Sequence, residues 1–142
     1  MWIFGYGSLV WRPALPFSER RVAYIEGWAR RFWQGSPDHR GVPEAPGRVV
    51  TLVPNPGGDC WGVAYRVPAK RRVEVLEELD YREKEGYERL FVDIFLQRPD
   101  ERVRGLMYVA TPTNPNYLGP ATMEQLVAQV MRSHGPSGTN LE

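Results

Sequence analysis

Alternation of apolar and polar residues predicts most of the strands in this 142-residue chain. Every second residue from Leu90 to Leu96 is apolar, so these side chains would share one face of a strand. A looser alternation, rich in aromatic residues, covers Val22 to Trp33 and predicts one long or two short strands. Gly105 to Ala110 is predicted as a further strand, following a polar loop at Arg98 to Glu101.

Proline and glycine divide the middle of the chain. Val49 to Val53 and Trp61 to Val67 are predicted as a hairpin, because the turn-forming residues Pro54 to Asp59 connect them. The segment from Gly35 to Gly47 is predicted as a loop, since its prolines and glycines cannot continue a helix. With 13 prolines and 14 glycines, the chain suits a strand-rich domain better than a helical bundle.

Two segments have the spacing of amphipathic helices. In Ala69 to Lys84, the apolar residues Val73, Leu76 and Leu79 fall on one side and charged residues cover the other. The second helix is predicted over Met123 to Arg132, with apolar spacing at Met123, Leu126, Val127, Val130 and Met131.

Glu83 breaks the pattern of the first helix. It lies one turn beyond Leu79, so a helix that continued this far would aim the carboxylate at the core. Removal from water raises the pKa of a carboxyl group toward neutrality, which is what a general base requires. In the alternative interpretation the helix ends after Leu79 and Glu83 is solvated, as most glutamates are.

The chain opens with an apolar strand that runs into a glycine-rich turn, here called the glycine loop (Gly5 to Leu9). Glycine can approach a ligand closely and adopt backbone angles closed to other residues. Gly5 and Gly7 would therefore let successive N–H groups converge on an anion or on a developing oxyanion. The alternative is an ordinary tight turn between two strands.

Composition favours a single domain that binds a small molecule. The net charge of +1, from 18 basic and 17 acidic residues, gives no reason to expect a nucleic acid or an acidic membrane as partner. No segment approaches the roughly 20 apolar residues of a membrane span. The single cysteine, Cys60, cannot form an internal disulfide and is predicted to be a small buried residue. A soluble protein of the reducing cytosol is expected.

Motifs along the whole chain, in consistent order and spacing, resemble one known family. They are Phe4 to Leu9, Arg30 to Ser36, Asp38 to Pro43, Pro46 to Val53, Trp61 to Tyr65, Arg82 to Lys84 with Gly86 and Tyr87, Asn116 to Pro120, and Gly135 to Gly138. The chain resembles the ChaC family of glutathione-specific gamma-glutamylcyclotransferases, and within it most closely the ChaC2 type.

The resemblance implies an α+β fold, a mixed closed β-barrel flanked by helices, forming a single gamma-glutamylcyclotransferase-like domain over residues 1–142. It implies that Glu83 is the catalytic acid/base and that the glycine loop holds the γ-glutamyl group. The substrate-binding positions carried over are Ile3, Phe4, Gly5, Tyr6, Gly7 and Ser8, with Leu9 completing the motif. Related proteins continue into a further C-terminal helical segment, which this chain is expected to lack.

Glutathione carries its own nucleophile, because its α-amine can attack the γ-carbonyl and close a lactam. The expected products are 5-oxoproline and Cys-Gly, and neither a metal nor ATP is required. Gln34, Ser36 and Tyr117 lie in the matched motifs and could line the pocket, although structural hydrogen bonding is an equally good interpretation of each. Ser8 would be a nucleophile only with a base beside it. His39 and His134 lack the spacing of a catalytic triad or a zinc site.

Two other functions remain open from the sequence. One keeps the fold but takes γ-glutamyl amino acids or γ-glutamylamines instead of glutathione. The other is a non-catalytic module that binds RNA or a protein through the cluster Arg30 to Trp33. The alternative for this cluster is a strand with outward arginines and inward rings, which the balanced net charge favours. The sequence does not predict an oligomeric state.

Overall fold

The fold is known from a computed structural model that describes residues 1–36, 40–82, 87–97, 100–136 and 138–140. Its contacts divide the chain into two compact units. Unit 1 consists of Met1–Arg30 and Leu52–Val109, and unit 2 of Arg31–Thr51 and Ala110–Glu142. The single domain over residues 1–142 stays a prediction.

Five strands form a closed mixed barrel in the order β1-β3-β2-β4-β5. The strands are β1 (Trp2–Gly5), β2 (Glu19–Ser36), β3 (Gly47–Arg66), β4 (Glu88–Leu96) and β5 (Glu101–Val109). β1 runs parallel to β5, while the pairs β1 with β3, β2 with β4 and β4 with β5 are antiparallel. The predicted mixed closed barrel is therefore confirmed.

The described residues also contain two α-helices, α1 (Arg72–Arg82) and α2 (Met123–Arg132). Single 3₁₀ turns form at Ser8–Val10 and at Ala69–Arg71, and β6 (His134–Gly135) pairs with β7 (Gly138–Thr139). α2 has the predicted bounds, and the combination of helices with the barrel confirms the α+β class. Within the described ranges, no helix is long and apolar enough to span a membrane.

The apolar alternation of β4 predicts its orientation correctly. Ile94 and Leu96 are buried, and Leu90 and Val92 pack beside them, whereas Phe91 on the opposite face is exposed. β2 forms as one long strand, the first of the two forms predicted for Val22 to Trp33. The polar loop predicted before β5 lies partly outside the described residues, at positions 98 and 99.

The hairpin predicted across Pro54 to Asp59 is wrong. Residues 47–66 form one continuous strand, β3, which pairs with β1 through Val63 to Arg66. Gly57 has a φ of 82°, in the left-handed region that glycine tolerates, so the chain accommodates these turn-forming residues without reversing. Pairing within the sheet therefore overrides the local turn preference, as is common in strands.

α1 packs its apolar side against the barrel strands of unit 1, but not through all the residues predicted. Val75 and Leu79 are buried in a cluster with Ile3 and Tyr65. Val73 was expected in this stripe, and it is instead 70% exposed. The buried residues are four apart, which places them on the same side of the helix, and Val73 lies on another side.

α2 belongs to unit 2 and begins with a capping box. The Thr122 hydroxyl accepts a hydrogen bond from the Gln125 N–H, and the Gln125 side chain accepts one from the Thr122 N–H. The apolar residues Met123, Val127 and Met131 are exposed, although their spacing is typical of a core-facing stripe.

Candidate functional site

The glycine loop begins at the last residue of β1 and runs into the 3₁₀ turn at Ser8–Val10. Ile3, Phe4 and Gly5 are buried, Tyr6 and Gly7 are half-buried, and Ser8 is exposed. A Cβ atom on Gly5 would lie 2.9 Å from the Leu9 Cβ, so Gly5 is needed for close packing within the loop.

Neither Gly5 nor Gly7 has a left-handed backbone. Gly5 lies in the strand β1, and Gly7 has a φ of −129°. The glycines described with positive φ are Gly27, Gly57, Gly119 and Gly138. The convergence of N–H groups on a ligand stays a prediction, and the described geometry that bears on it is the 3₁₀ turn that follows Gly7.

Two backbone carbonyls in the turn accept hydrogen bonds from the residues that follow. The Gly7 carbonyl accepts from the Val10 N–H at 2.9 Å, and the Ser8 carbonyl accepts from the Arg12 N–H at 2.7 Å. In a trans peptide the C=O and N–H of one unit point in opposite directions. The Ser8 N–H therefore points away from the Gly7 carbonyl, and the Leu9 N–H points away from the Ser8 carbonyl.

Two side chains of unit 1 bind the remaining carbonyls of the loop. Arg30 Nε donates to the Tyr6 carbonyl at 2.8 Å, and its Nη2 donates to the Trp61 carbonyl. The buried Tyr65 hydroxyl donates to the Leu9 carbonyl at 2.5 Å. Every carbonyl from Tyr6 to Leu9 therefore has a donor from the protein.

The N–H groups of Gly7, Ser8 and Leu9 show no acceptor among the residues that the structure describes. Unpaired backbone N–H groups are available as hydrogen-bond donors to a ligand. The arrangement can thus accept a carboxylate or a carbonyl oxygen that becomes negatively charged during a reaction.

Tyr6 does not offer a free hydroxyl, because this group donates to the backbone carbonyl of Tyr108. The Tyr108 hydroxyl in turn donates to Asp80 Oδ1 at 2.6 Å, and Arg89 forms an ion pair with the same carboxylate. The hydrogen bond from Arg89, followed by that from Tyr108, holds the pKa of Asp80 below its usual range. Burial, followed by the bond to Asp80, raises the pKa of Tyr108. These contacts join α1, β4, β5 and the glycine loop within unit 1.

Glu83, the predicted catalytic residue, lies outside the described residues, as do Lys84, Glu85 and Gly86. α1 is described as far as Arg82, which exceeds the early end at Leu79 considered from the sequence. The predicted role of Glu83 therefore stays a prediction.

Gln34 lies in the interior of unit 2, where it is 1% exposed. Its Nε2 donates to Asn114 Oδ1 at 3.1 Å, and that oxygen also accepts from the Asn116 N–H at 2.8 Å. Since the backbone N–H can only donate, Asn114 Oδ1 is an acceptor, and the facing atom of Gln34 must be the NH₂ group. The other atom, Gln34 Oε1, is buried without a hydrogen-bond partner among the described residues.

Tyr117 and Ser36 are near Gln34 in unit 2. Tyr117 forms a β-bridge with Gln34, and Ser36 Oγ accepts a hydrogen bond from the Arg40 N–H at 2.8 Å. The structure thus brings Gln34 and Tyr117 together, and Ser36 follows on the same strand. Of these three residues, Gln34 has a buried acceptor, Oε1, without a partner among the described residues. The Ser36 hydroxyl already accepts a hydrogen bond from the backbone.

Arg48 was not singled out from the sequence, and it organises much of unit 2. Its guanidinium donates to Gln129 Oε1 at 2.6 Å, to the Phe32 carbonyl at 2.8 Å and to the Gly119 carbonyl at 3.2 Å. The backbone of Arg48 also exchanges two hydrogen bonds with the Asn140 side chain. Burial lowers the pKa of this guanidinium, but arginine remains charged at neutral pH.

Other predicted residues have ordinary environments. Cys60 is buried as expected, and burial raises the pKa of its thiol. His134 is exposed on β6, while His39 lies outside the described residues. No hydrogen bond joins the Ser8 hydroxyl to a base in the part of the chain that the structure describes. In the same part, no group of three or more His, Cys, Asp or Glu side chains could hold a metal ion.

The basic and aromatic cluster does not have all its rings inward. Arg31 lies over the ring of Trp33 at 5.8 Å, and Phe32 is 48% exposed. The prediction that the rings point inward is therefore wrong for Phe32. Arg30 instead binds backbone carbonyls in unit 1, those of Tyr6 and Trp61.

Comparisons with known proteins show the family of this chain. The family model described as ChaC-like protein matches residues 1–142. The Homo sapiens protein named glutathione-specific gamma-glutamylcyclotransferase 1 is 48% identical over 145 residues, covering 100% of this chain and 65% of the human protein. The Saccharomyces cerevisiae protein named glutathione-specific gamma-glutamylcyclotransferase is 33% identical, covering 100% of this chain and 81% of the yeast protein.

The solved structures point to the same fold. The crystal structure of selenomethionine-labelled gamma-glutamyl cyclotransferase specific to glutathione from yeast has a TM-score of 0.94 and 32% sequence identity, covering 99% of this chain and 81% of that chain. The fold is thus that of the gamma-glutamylcyclotransferases. This chain belongs to the ChaC-like family. It spans about 65% of the length of the human relative, and the resemblance to the ChaC2 type stays a prediction.

Proposed function

We propose that this chain cleaves glutathione to 5-oxoproline and Cys-Gly. The α-amine of the glutamyl residue attacks its own γ-carbonyl, a C–N bond closes the lactam, and the C–N bond to cysteine breaks. Correct alignment of an intramolecular nucleophile is worth effective molarities of about 10⁵ M or more. Membership of the ChaC-like family and relatives named for glutathione support the proposal.

The observation that carries this proposal is the orientation of the glycine loop. The N–H groups of Gly7, Ser8 and Leu9 lack acceptors among the described residues, while the neighbouring carbonyls are bound. They could hold the γ-carbonyl oxygen as it becomes charged, or the α-carboxylate of the substrate. Loss of one such donor typically costs about 3 kcal/mol of transition-state stabilisation. In this role Ile3, Phe4 and Gly5 act by packing the loop, since they are buried.

Glu83 is proposed as the general acid/base. It takes a proton from the α-amine and delivers one to the departing cysteine nitrogen. Supporting this, Val75 and Leu79 are both buried, and Glu83 follows Leu79 at the same interval of four residues in the sequence. A continued four-residue spacing would favour the same side of the helix.

Gln34 is the best supported of the further substrate-binding residues. Its buried Oε1 lacks a donor, and a buried carbonyl oxygen without a partner is unfavourable by about 1–3 kcal/mol. A substrate N–H group would supply that donor. Tyr117, which pairs with Gln34, and Ser36 are proposed to shape the same part of unit 2.

Glu83→Gln tests the mechanism, with Glu77→Gln on the exposed side of α1 as the matched control. Each purified protein is incubated with reduced glutathione, and 5-oxoproline and Cys-Gly are measured by mass spectrometry. We expect Glu83→Gln to lose nearly all turnover and Glu77→Gln to keep it. Near-normal 5-oxoproline release by Glu83→Gln would show that another residue moves the proton.

The substrate is tested by a parallel assay with γ-glutamyl-alanine. Turnover of glutathione alone supports the proposed specificity, whereas preferred turnover of γ-glutamyl-alanine would favour the broader γ-glutamyl substrate class. We also propose that the protein acts in the cytosol, because its single cysteine is buried and needs no oxidising compartment. Detection of the protein only in a membrane or secreted fraction would contradict that location.

A further inference from the structure

The glycine loop is anchored through its carbonyls by side chains distant in sequence. Arg30 lies 24 residues from Tyr6, whose carbonyl it binds. Tyr65 lies 56 residues from Leu9, whose carbonyl it binds. The two contacts hold the first and last of the bound carbonyls, and the 3₁₀ turn uses the two between them.

Peptide geometry connects the Arg30 contact to the Gly7 N–H group. Because a peptide unit is planar and trans, holding the Tyr6 carbonyl also fixes the direction of the Gly7 N–H. A peptide unit with a free carbonyl could rotate about the neighbouring φ and ψ angles and turn its N–H away. Arg30 is well suited to prevent this rotation, since its guanidinium presents several donors in a rigid planar fork.

Resting on the proposed function, we propose that Arg30 is a positioning residue for the reaction, and that Tyr65 is its counterpart at the other end of the loop. Arg30 donates hydrogen bonds to both the Tyr6 and the Trp61 carbonyls, which connects the loop to β3. The same contact orients the Gly7 N–H toward the bound substrate. Tyr65 fixes the last peptide of the turn from the buried side. Neither side chain needs to contact the substrate.

Arg30→Met is the main test, because the residue is exposed and its replacement leaves the apolar core intact. Arg21→Met is the matched control. Arg21 lies on the same strand and also donates to a backbone carbonyl, that of Gln97 at 3.3 Å, but does not bind the glycine loop. We expect kcat/KM for glutathione to fall at least about 10-fold in Arg30→Met relative to Arg21→Met, with equal melting temperatures. The kcat/KM of Arg30→Lys should lie between those of Arg30→Met and the wild type, because lysine keeps the charge but lacks the planar guanidinium.

Equal kcat/KM values in Arg30→Met and Arg21→Met would overturn the proposal. A second measurement tests it without relying on turnover. The amide ¹H and ¹⁵N chemical shifts of Gly7, Ser8 and Leu9 in the free protein should change in Arg30→Met and remain unchanged in Arg21→Met. Unchanged shifts in both variants would show that Arg30 does not set the orientation of the loop.

The two proposals fail in different ways. If the wild-type chain releases no 5-oxoproline, the proposed function is wrong, and the chemical shifts alone decide whether Arg30 orients the loop. If the wild type is active and Arg30→Met matches Arg21→Met in either measurement, the proposed function stands and the role of Arg30 is wrong. Tyr65→Phe adds an independent check, since it removes one hydroxyl and should lower kcat/KM in the same direction.

Discussion

The two compact units bury different kinds of side chain. In unit 1 the core consists of apolar residues, in two clusters that contain Ile3 and Leu79 in one and Phe4 and Ile94 in the other. In unit 2 the buried residues described are mostly polar: Gln34, Ser36, Arg48, Thr51, Asn114 and Ser133. Apolar burial is non-directional, whereas hydrogen bonds stabilise only one geometry. Unit 1 should therefore tolerate volume-conserving changes, and unit 2 should depend on particular atoms.

The largest effect is expected from Leu79→Ala in unit 1. Leu79 is buried, and its truncation removes apolar contacts and leaves a cavity, at a cost of about 2–5 kcal/mol of unfolding free energy. Val73→Ala is the control on the same helix, because Val73 is exposed, and it should change stability by less than about 0.5 kcal/mol. Denaturant unfolding measures both. Similar losses in the two variants would contradict the assignment of Leu79 rather than Val73 to the core.

Arg48→Met tests the dependence of unit 2 on hydrogen bonds. The substitution keeps much of the apolar stem but leaves Gln129 Oε1 and two backbone carbonyls without their donor. We expect a loss of about 2–4 kcal/mol in the free energy of unfolding. Arg132→Met, at the exposed end of α2, is the control and should be nearly neutral. A neutral Arg48→Met would mean that apolar packing, and not hydrogen bonding, holds unit 2 together.

The smallest effect on stability is expected from the Asp80 carboxylate in unit 1, which contacts Arg89 and Tyr108. Its folded pKa is lowered, so its contribution to stability is present above the unfolded value of about 3.9 and is lost as pH falls through the folded pKa. The contribution should be below about 1 kcal/mol, because the ion pair is largely solvent-accessible.

Melting temperatures from about pH 6 to about pH 2 test this dependence. The melting temperature of Asp80→Asn should fall less than that of the wild type over this pH range. Asp93→Asn, which removes an exposed ion pair with Arg104 on the same two strands, is the control and should follow the wild-type curve more closely. Parallel curves for wild type and Asp80→Asn would show that Asp80 does not contribute.

Much of the fold is predictable where one physical factor dominates. The alternation in β4 predicts its buried face, because each side chain of a strand faces either the core or solvent. The apolar spacing of α2 predicts its bounds. The sequence misleads at Pro54 to Asp59, where local turn preference is outweighed by pairing with distant strands. The exposed Met123, Val127 and Met131 show that spacing alone does not reveal what a helix face contacts.

The candidate site is predictable in its residue types but not in its construction. The glycine loop is found from Gly5, Gly7 and Ser8, yet its N–H groups are arranged by a 3₁₀ turn and not by left-handed glycines. Arg30 and Tyr65 lie in the matched motifs, but nothing in their local sequence indicates which carbonyls they bind. These contacts join residues 24 and 56 positions apart, so they form only when distant segments of the chain come together in the fold.

The surface of α2 makes two methionines chemically accessible from solvent. Met123 is 73% exposed and Met131 is 63% exposed, whereas Met107 in unit 1 is fully buried. Mild peroxide should therefore convert the helix methionines to sulfoxides before Met107 reacts. Because a sulfoxide is polar and a thioether is not, oxidation would make that face of α2 less hydrophobic and leave the barrel interior unchanged. The order of oxidation can be measured by peptide mass spectrometry. Oxidation of Met107 as early as that of Met123 and Met131 would indicate that unit 1 has unfolded.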